Sequence, residues 1–393
     1  MTDPTRPLVY LDHAATTPMR PEAVEAMTEQ LGRTGNASSL HGSGRAARRV
    51  VEESRERMAA VLGARPGEVV FTSGGTEADN LAVKGIYWAR RDEDAGRRRV
   101  LTTEVEHHAV LDPLEWLEER DGAVGECLGV DDAGRLDLDQ LRDSVERDPA
   151  SVALVTVMWA NNEVGTVQPV EEVVALAHAH GIPVHTDAVQ AVGAVPLDFG
   201  RSGADALTLT AHKLGGPYGV GALVVRRDLV PTPLLHGGGQ ERSIRSGTID
   251  VPAIVGFAVA VEHAVKQQAE HAARVSALRD DLVRRVLEIV PDARVNGAEA
   301  DRLPGHAHLT FPGCDGDSLL MLLDHRGIEC STGSACSAGV PQPSHVLLAM
   351  GRDHAEARSS LRFTVGRTNT AADIDVLVDA IGPAVERARA AAR

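Results

Sequence analysis

Four segments of this 393-residue sequence carry side chains whose types and spacing could perform chemistry, and the first is a turn of small residues. In VVFTSGGTEADN, an apolar strand pattern runs directly into Gly75 and Thr76 and then into a helical pattern. Backbone N–H groups and the helix dipole converge at such a helix start, which suits a phosphate group. An ordinary capped helix explains the same residues, because Thr76 is followed by acidic side chains. The spacing matches neither a Walker A loop nor GxGxxG, which argues against nucleoside triphosphates.

The second segment places Lys213 at the end of an apolar strand pattern, in ADALTLTAHKLGGPYGVG. Desolvation lowers the pKa of a lysine in such a place and frees the neutral amine that bonds to an aldehyde cofactor. An exposed loop lysine is the alternative interpretation. The neighbouring Thr210 and His212 can donate hydrogen bonds to a phosphate beside that lysine.

The third segment, IPVHTDAVQAVG, is a strand pattern that carries His185 and ends at Asp187, with Gln190 shortly after it. A buried carboxylate needs a partner, and a protonated pyridine nitrogen is a suitable one. A helix N-cap is the alternative role for Asp187. A phosphate seat, a lysine and an acid in one α/β region together predict pyridoxal 5'-phosphate as the cofactor.

The fourth segment carries Cys336, in a run of small residues from Ser331 to Gly339. Such a run predicts a mobile loop, on which a thiol can visit a bound cofactor and then turn outward. Cys127 and Cys314 are expected to be inert packing residues. Cys330 is open to two interpretations, since a second thiol so close could resolve a persulfide or form an accidental disulfide.

The elements that must position these side chains alternate between short β-branched runs and longer helical patterns, which is typical of a mostly parallel sheet covered by helices on both faces. We predict a large α/β domain over residues 16–258 and a smaller α+β domain from residues 1–15 and 259–393, which carries the cysteine loop. A long helix is predicted over roughly Pro252 to Val290. The active site is expected at the carboxyl ends of the strands, between the domains.

Composition limits the classes of partner. Lysine and arginine total 40 against 56 aspartates and glutamates, a net charge of -16, which gives no general attraction to nucleic acid or to an anionic membrane. Four cysteines are too few for a disulfide scaffold and lack a paired zinc spacing, so a reducing cytoplasm is expected. No apolar run approaches the roughly 20 residues that cross a bilayer, so no membrane association is expected.

These segments belong to a longer series of motifs, and the sequence resembles the cysteine desulfurases of the NifS/IscS type, in the class V aminotransferase branch of the fold-type I pyridoxal-phosphate enzymes. The resemblance covers nearly the whole chain. Its matching stretches are, in order, YLDHAATTP, GNASSLHGSGR, FTSGGTEADN, TEVEHHAV, WANNEVGT, HTDAVQAVG, TAHKLGGPYGVG, HGGGQERSIRSGT, STGSACSAG and SSLRFTVGRT.

The resemblance implies a role for each matching residue. Lys213 would bond covalently to the cofactor, Asp187 would pair with its pyridinium nitrogen, and His107 would stack on its ring. Other implied cofactor and substrate contacts are Gln190 and Asn162 at the ring hydroxyl side, Gly75, Thr76, Thr210 and His212 at the phosphate, Thr248 at the phosphate from a partner subunit, and Arg362, with Asn36 nearby, at the substrate carboxylate. Relatives often have alanine at position 75 and serine at position 210. No metal is implied in the enzyme itself.

The implied activity is removal of sulfur from L-cysteine, which leaves L-alanine and a persulfide on Cys336, with His107 carrying a proton for the substrate thiol. The form of the cysteine loop resembles the IscS-like group, which implies transfer of sulfur to an iron-sulfur scaffold protein or to thiolation enzymes for tRNA. A homodimer is implied if Thr248 acts on the site of its partner subunit. Two alternatives stay open: a related lyase or aminotransferase with the same cofactor, and a non-catalytic sulfur relay that binds a metal cluster through Cys336. The first does not need this cysteine, and the second does not need Lys213 or Asp187.

Overall fold

The computed structural model describes residues 8–297, 300–333 and 343–391. Within these ranges the strands are, in chain order, β1 (Val9–Tyr10), β2 (Val69–Thr72), β3 (Arg99–Thr103), β4 (Val124–Leu128), β5 (Val152–Thr156), β6 (Val184–Asp187), β7 (Ala206–Thr210), β8 (Gly221–Val225), β9 (Arg294–Val295), β10 (His306–Thr310), β11 (Ile328–Glu329) and β12 (Ser360–Thr364). The helices are α1 (Pro21–Leu31), α2 (Gly42–Leu62), α3 (Gly75–Glu93), α4 (His108–Asp121), α5 (Leu138–Arg147), α6 (Val170–His178), α7 (Phe199–Ser202), α8 (Val251–Lys266), α9 (Gln268–Ile289), α10 (Gly316–Asp324), α11 (His345–Ala349), α12 (His354–Arg358) and α13 (Ala371–Ala391). Short 3-10 helices lie at Pro66–Glu68, Pro149–Ser151 and Ala211–Lys213.

The central sheet has seven strands in the order β2-β8-β7-β6-β5-β3-β4. The strands from β7 to β4 in this order run parallel to one another, and β8 runs antiparallel to both of its neighbours. The prediction of a mostly parallel sheet in an α/β fold is therefore confirmed. Every residue of β5 is buried, as expected for a strand with helices on both faces.

Successive residues of the central strands point into two different cores. Phe71 packs with Leu207 and Phe257 on one face of the sheet, whereas Val70 packs with Tyr87 on the other. Helix α8 contacts both α1 and α2 on the first face, and α3 and α4 contact each other on the second. None of the helices in the described ranges is long and apolar enough to cross a membrane.

A third core lies between a small antiparallel sheet, in the order β12-β10-β9, and helices α9, α10 and α13. The N-terminal strand β1 pairs in parallel with β11, and Val9 and Leu11 are buried in this third core. The chain therefore brings its first strand to elements that lie more than three hundred residues later. The domain boundaries at residues 15/16 and 258/259 stay a prediction.

The structure divides the single long helix that was predicted over Pro252 to Val290. α8 ends at Lys266 and α9 begins at Gln268, and Gln267 between them accepts a hydrogen bond from Nη1 of Arg20 at 2.9 Å. α8 packs against α1 and α2, whereas α9 packs against α13. Glutamine itself favours helix, so the residue type does not explain the break. The break lies where the chain changes its packing partners.

Candidate active site

A cavity of about 420 Å³ lies at the edge of the sheet where β3, β5, β6 and β7 end. Parallel strands bring their carboxyl ends to one edge, which is where open α/β sheets bind ligands. The wall contains most of the predicted site residues, namely Gly75, Thr76, His107, Asn162, Asp187, Gln190, Thr210, His212, Lys213 and Arg362.

Lys213 lies on the 3-10 helix that directly follows β7. Its amine donates hydrogen bonds to the carbonyl oxygens of Ala14 and Ala15, the latter at 2.9 Å. Burial, followed by the positive charge of Arg362, lowers the pKa of Lys213 to about 8, and Asp12 and Asp187 oppose this shift. About a tenth of this lysine is therefore neutral at pH 7, whereas an ordinary lysine with a pKa of about 10.4 is almost entirely charged.

Asp187 is the last residue of β6, and its Oδ1 accepts the backbone N–H of Val189 at 2.9 Å. Burial raises the pKa of Asp187 to about 6, while the N–H of Val189 and the Lys213 amine favour the charged form. Gln190, one turn further on, donates to the carbonyl oxygen of Ala14 at 2.9 Å. Asp187 can accordingly serve as a buried anion for a cationic ligand group.

His107 caps α4, since its Nδ1 accepts the N–H of Ala109 at 3.0 Å. The neutral ring therefore carries its proton on Nε2. The ring is accessible from the cavity, yet the surrounding protein desolvates it. This desolvation, together with the charge of Lys213, lowers the pKa of His107 to about 4. The imidazole is neutral at neutral pH and can donate only through Nε2.

The predicted phosphate seat lies at the N-terminus of α3, whose first residues are Gly75 and Thr76. The first N–H groups of a helix have no partner within the helix. Thr210 ends β7, and Nδ1 of His212 lies 3.3 Å from Oγ1 of Thr16. A Cβ at position 75 would lie 3.2 Å from Cγ2 of Val189, so glycine leaves room at this point of the wall.

Arg362, in the middle of β12, reaches the cavity from the small antiparallel sheet. Its Nη2 donates to Oδ1 of Asp12 at 2.7 Å, and its Nη1 donates to the carbonyl oxygen of Asn162 at 2.9 Å. Its Nε is buried and has no hydrogen-bond partner among the described residues. The guanidinium is thus held at two corners by acceptors of the protein, at the wall of the cavity.

Sequence reasoning missed several residues of this site. Ala14 and Ala15 receive the hydrogen bonds of Lys213, and Asp12 pairs with Arg362. All three lie in the motif YLDHAATTP, which was noticed but given no role. The wall also includes the fully buried carboxyl groups of Asp79 and Glu163, whose motifs TEADN and WANNEVGT were likewise matched without an assignment.

Two predicted residues do not line this cavity in the single chain. Asn36 is exposed, and its Oδ1 accepts the N–H of Ser38 at 2.9 Å. Thr248 is also exposed. Their proposed contacts with substrate and cofactor stay predictions.

Cys336 lies outside the described residues, and the segment that carries it begins directly after Gly333, which lines the cavity. Burial, together with the charge of Asp12, raises the pKa of Cys330 to about 12, so its thiol is neutral. Among the described residues, no group of three or more His, Cys, Asp and Glu side chains could hold a metal ion.

Comparison with known proteins places this geometry in a family. A family model for class-V aminotransferases matches residues 9–377. The chain is 58% identical over 386 residues to an IscS-like cysteine desulfurase of Mycobacterium tuberculosis strain H37Rv, and the match covers 98% of each chain. Among solved structures it is similar to a NifS-like protein, with a TM-score of 0.89 and 35% identity over 97% of this chain and 100% of that one. It is also similar to SspA in complex with cysteine, with a TM-score of 0.78 and 34% identity over 92% of this chain and 99% of that one. The chain belongs to the class-V aminotransferase family and, within it, to the cysteine desulfurases of the NifS/IscS type.

Proposed function

We propose that the protein is a pyridoxal-phosphate-dependent cysteine desulfurase whose sulfur carrier is Cys336. In the net reaction, L-cysteine and the Cys336 thiol give L-alanine and a Cys336 persulfide. The bond between Cβ and sulfur of the substrate breaks, a bond between that sulfur and Sγ of Cys336 forms, and the protons of the two thiols remain on the products. A related structure contains bound cysteine, which supports L-cysteine as the substrate.

The observation that carries this proposal is the wall of the candidate cavity. It combines the amine of Lys213 with the carboxyl group of Asp187, whose pKa values burial shifts in opposite directions. An arginine from another sheet and Gly333 complete this part of the wall. Cys336 follows Gly333 by three residues, which can span at most about 10 Å. The thiol is therefore tethered within reach of the cavity.

The residues of the wall fit the proposed cofactor. Lys213 would bond to its aldehyde, Asp187 would pair with its ring nitrogen, and His107 would stack on the ring. Contacts at the ring hydroxyl would come from Gln190 and Asn162, and those at the phosphate from Gly75, Thr76, Thr210, His212 and Thr248 of the partner subunit. The lowered pKa of Lys213, the buried acid and the open N-terminus of α3 support these assignments.

When bound, pyridoxal phosphate supplies an electron sink for the bonds at Cα of an amino acid. The amine of Lys213 would take and return the Cα proton of the substrate. Arg362 holds the substrate carboxylate from the cavity wall, with Asn36 nearby. The Nε2–H of His107 donates a hydrogen bond to the substrate sulfur, and Cys336 attacks that sulfur as a thiolate.

The persulfide would then pass to an iron-sulfur scaffold protein or to another sulfur acceptor, including enzymes of tRNA thiolation. A homodimer is part of this proposal, because Thr248 is exposed in the single chain and does not line its own cavity. No direct contact with nucleic acid is proposed, in keeping with the net charge of -16.

The test is the intact mass of the purified, cofactor-loaded protein before and after L-cysteine, with alanine measured in parallel. We expect the mass to increase by one or more sulfur atoms that a reductant removes, together with release of alanine. Cys336→Ala should keep the absorbance of the bound cofactor and form neither product. A loaded wild-type protein that gains no sulfur would assign the chain to another reaction of the same cofactor.

A further inference from the structure

Glu163 is a buried carboxyl group of the cavity wall to which the proposed reaction gives no role. It is 1% exposed and follows Asn162 in the chain. Its backbone N–H donates to Oδ1 of Asn161 at 2.9 Å, and Nδ2 of Asn161 in turn donates to the carbonyl oxygen of Val105 at 3.0 Å. The position of Glu163 is therefore determined by two loops that follow strands of the central sheet.

The side chain of Glu163 binds the residue that begins α11. Oγ of Ser344 donates to Oε2 of Glu163 at 2.5 Å, and the same Oγ accepts the backbone N–H of Leu347 at 3.1 Å. Ser344 is 1% exposed. Next to it, Nε2 of His345 lies 2.9 Å from the carbonyl oxygen of Glu106. The C-terminal end of the segment that carries Cys336 is thus attached to the loops around the cavity.

The other end of that segment lies close to Glu163. Gly333 has a φ of +84°, and a Cβ there would lie 3.2 Å from Oε2 of Glu163 and 3.1 Å from Nε2 of His308. Just before it, Ser331 exchanges backbone hydrogen bonds with Arg362, at 3.1 Å and 2.6 Å. One carboxylate oxygen therefore lies against both the residue before the segment and the helix cap after it.

Burial of a carboxyl group destabilises the folded state unless hydrogen bonds and nearby charges offset the lost hydration. Burial raises the pKa of Glu163, and the hydroxyl of Ser344 and the nearby His345, Arg362 and His108 only partly offset this. A glutamate retained at this cost needs a role that an apolar side chain cannot fill. Holding a serine hydroxyl is such a role.

We propose that Glu163 is a positioning residue, which holds Ser344, just after the Cys336 segment, at the wall of the cavity beside Gly333, so that the thiol reaches the substrate sulfur. This inference rests on the proposed desulfurase function. Misplacing a reacting group by about 1 Å can cost up to about a hundredfold in rate. Removal of the carboxyl group should therefore reduce sulfur transfer while leaving cofactor and substrate binding intact.

The experiment compares Glu163→Ala and Glu163→Gln with the wild type, all loaded with cofactor. For Glu163→Ala we expect kcat for alanine and persulfide formation to fall at least about tenfold, with KM for L-cysteine changed by less than about twofold. Glu163→Gln keeps an oxygen that accepts from Ser344 and should restore most of the rate. Ser344→Ala should resemble Glu163→Ala, and the double variant should be no slower than either single one, because both remove the same hydrogen bond.

Two controls separate positioning from general destabilisation. Asp353→Ala removes the N-cap of α12, another short helix, and should leave kcat unchanged at similar cost in stability. Alkylation of the buried Cys314, followed by peptide mass, reports loss of the fold in any variant.

The proposal is wrong if Glu163→Ala transfers sulfur within about twofold of the wild type, or if Glu163→Gln is as slow as Glu163→Ala. Should Glu163→Ala fail to fold, Ser344→Ala and Glu163→Gln decide the question by the same criteria. A wild type that forms no persulfide at all would instead reject the proposed function.

Discussion

The decisive ionisable side chains of the cavity are shifted in opposite directions by the same cause. Burial disfavours charge, so it lowers the pKa of Lys213 to about 8 and raises that of Asp187 to about 6. The two groups are close enough that each favours the charged form of the other. Such opposed shifts in one cavity are typical of a catalytic site.

The lowered pKa of Lys213 predicts the pH dependence of its reactivity in the cofactor-free protein. As the pH rises through about 8, the ammonium loses its proton and the neutral amine becomes available to an aldehyde. We expect reductive trapping of pyridoxal phosphate on Lys213, measured by peptide mass, to rise with a midpoint near that pH. Lys213→Arg is the control and should not be labelled. A midpoint at the usual lysine value of about 10.4 would contradict the burial of this amine.

At the scale of elements, the segment before α8 is tied to the large sheet by a buried ion pair. Both Nη atoms of Arg55, on α2, donate to the carboxylate of Glu241 at 2.8 Å, and the N–H of Phe71 donates to the same carboxylate at 2.9 Å. The pair joins α2 and β2 to the segment that carries Thr248. In that segment Arg242 and Ser243 adopt positive φ angles of 54° and 62°. Such angles persist in non-glycine residues only where the surroundings impose them.

Glu241→Gln should lower the free energy of unfolding by about 3 kcal/mol, because it leaves the buried guanidinium of Arg55 without a full counter-charge. Chemical denaturation of the wild type and the variant measures this difference. Glu288→Gln breaks the exposed pair with Arg284 and is the matched control, with an expected change below about 1 kcal/mol. Equal effects of the two substitutions would show that Glu241 does not hold its segment in place.

At the scale of the whole molecule, the cavity is assembled from distant parts of the chain. Asp12 lies beside β1, Lys213 follows β7 of the central sheet, and Arg362 comes from β12 of the small sheet. Thr248 would add a contribution from a second chain. The complete site would therefore form only when these distant segments of the chain and the second subunit are assembled.

Subunit mixing tests the contribution of Thr248 across a dimer. Lys213→Ala and Thr248→Ala should each reduce activity strongly when alone, the first by loss of the amine and the second by loss of a phosphate contact. If Thr248 of the partner subunit completes each cavity, a mixed dimer contains one intact site, and an exchanged equimolar mixture should recover about a quarter of the wild-type rate. Mixing Lys213→Ala with the double variant is the control and should recover nothing. The absence of recovery in the first mixture would place Thr248 in its own chain's site.

Local patterns were sufficient for the central sheet and for the residues at its edge. Runs of four or five apolar residues and threonines mark β2, β5 and β7, since strands buried on both faces carry no charged side chains in their interior. Asp187 ends β6 and Lys213 lies three residues after β7, so their place at the carboxyl edge could be read from the sequence. The break at Gln267 could not, because both halves of the helix have ordinary helical periodicity and the change lies in what they pack against.

The sequence by itself determined the family, the fold class and the side chains that end the parallel strands, because each of these depends on residues that are adjacent in the chain. Only the tertiary structure decided that Asp12 and Asn162 hold Arg362, that Ala14 and Ala15 receive the Lys213 amine, and that Glu163 binds Ser344 close to Gly333. Periodicity reports which face of an element is buried, but not which distant residue faces it. Those pairings follow from how the two sheets and their connecting loops pack together.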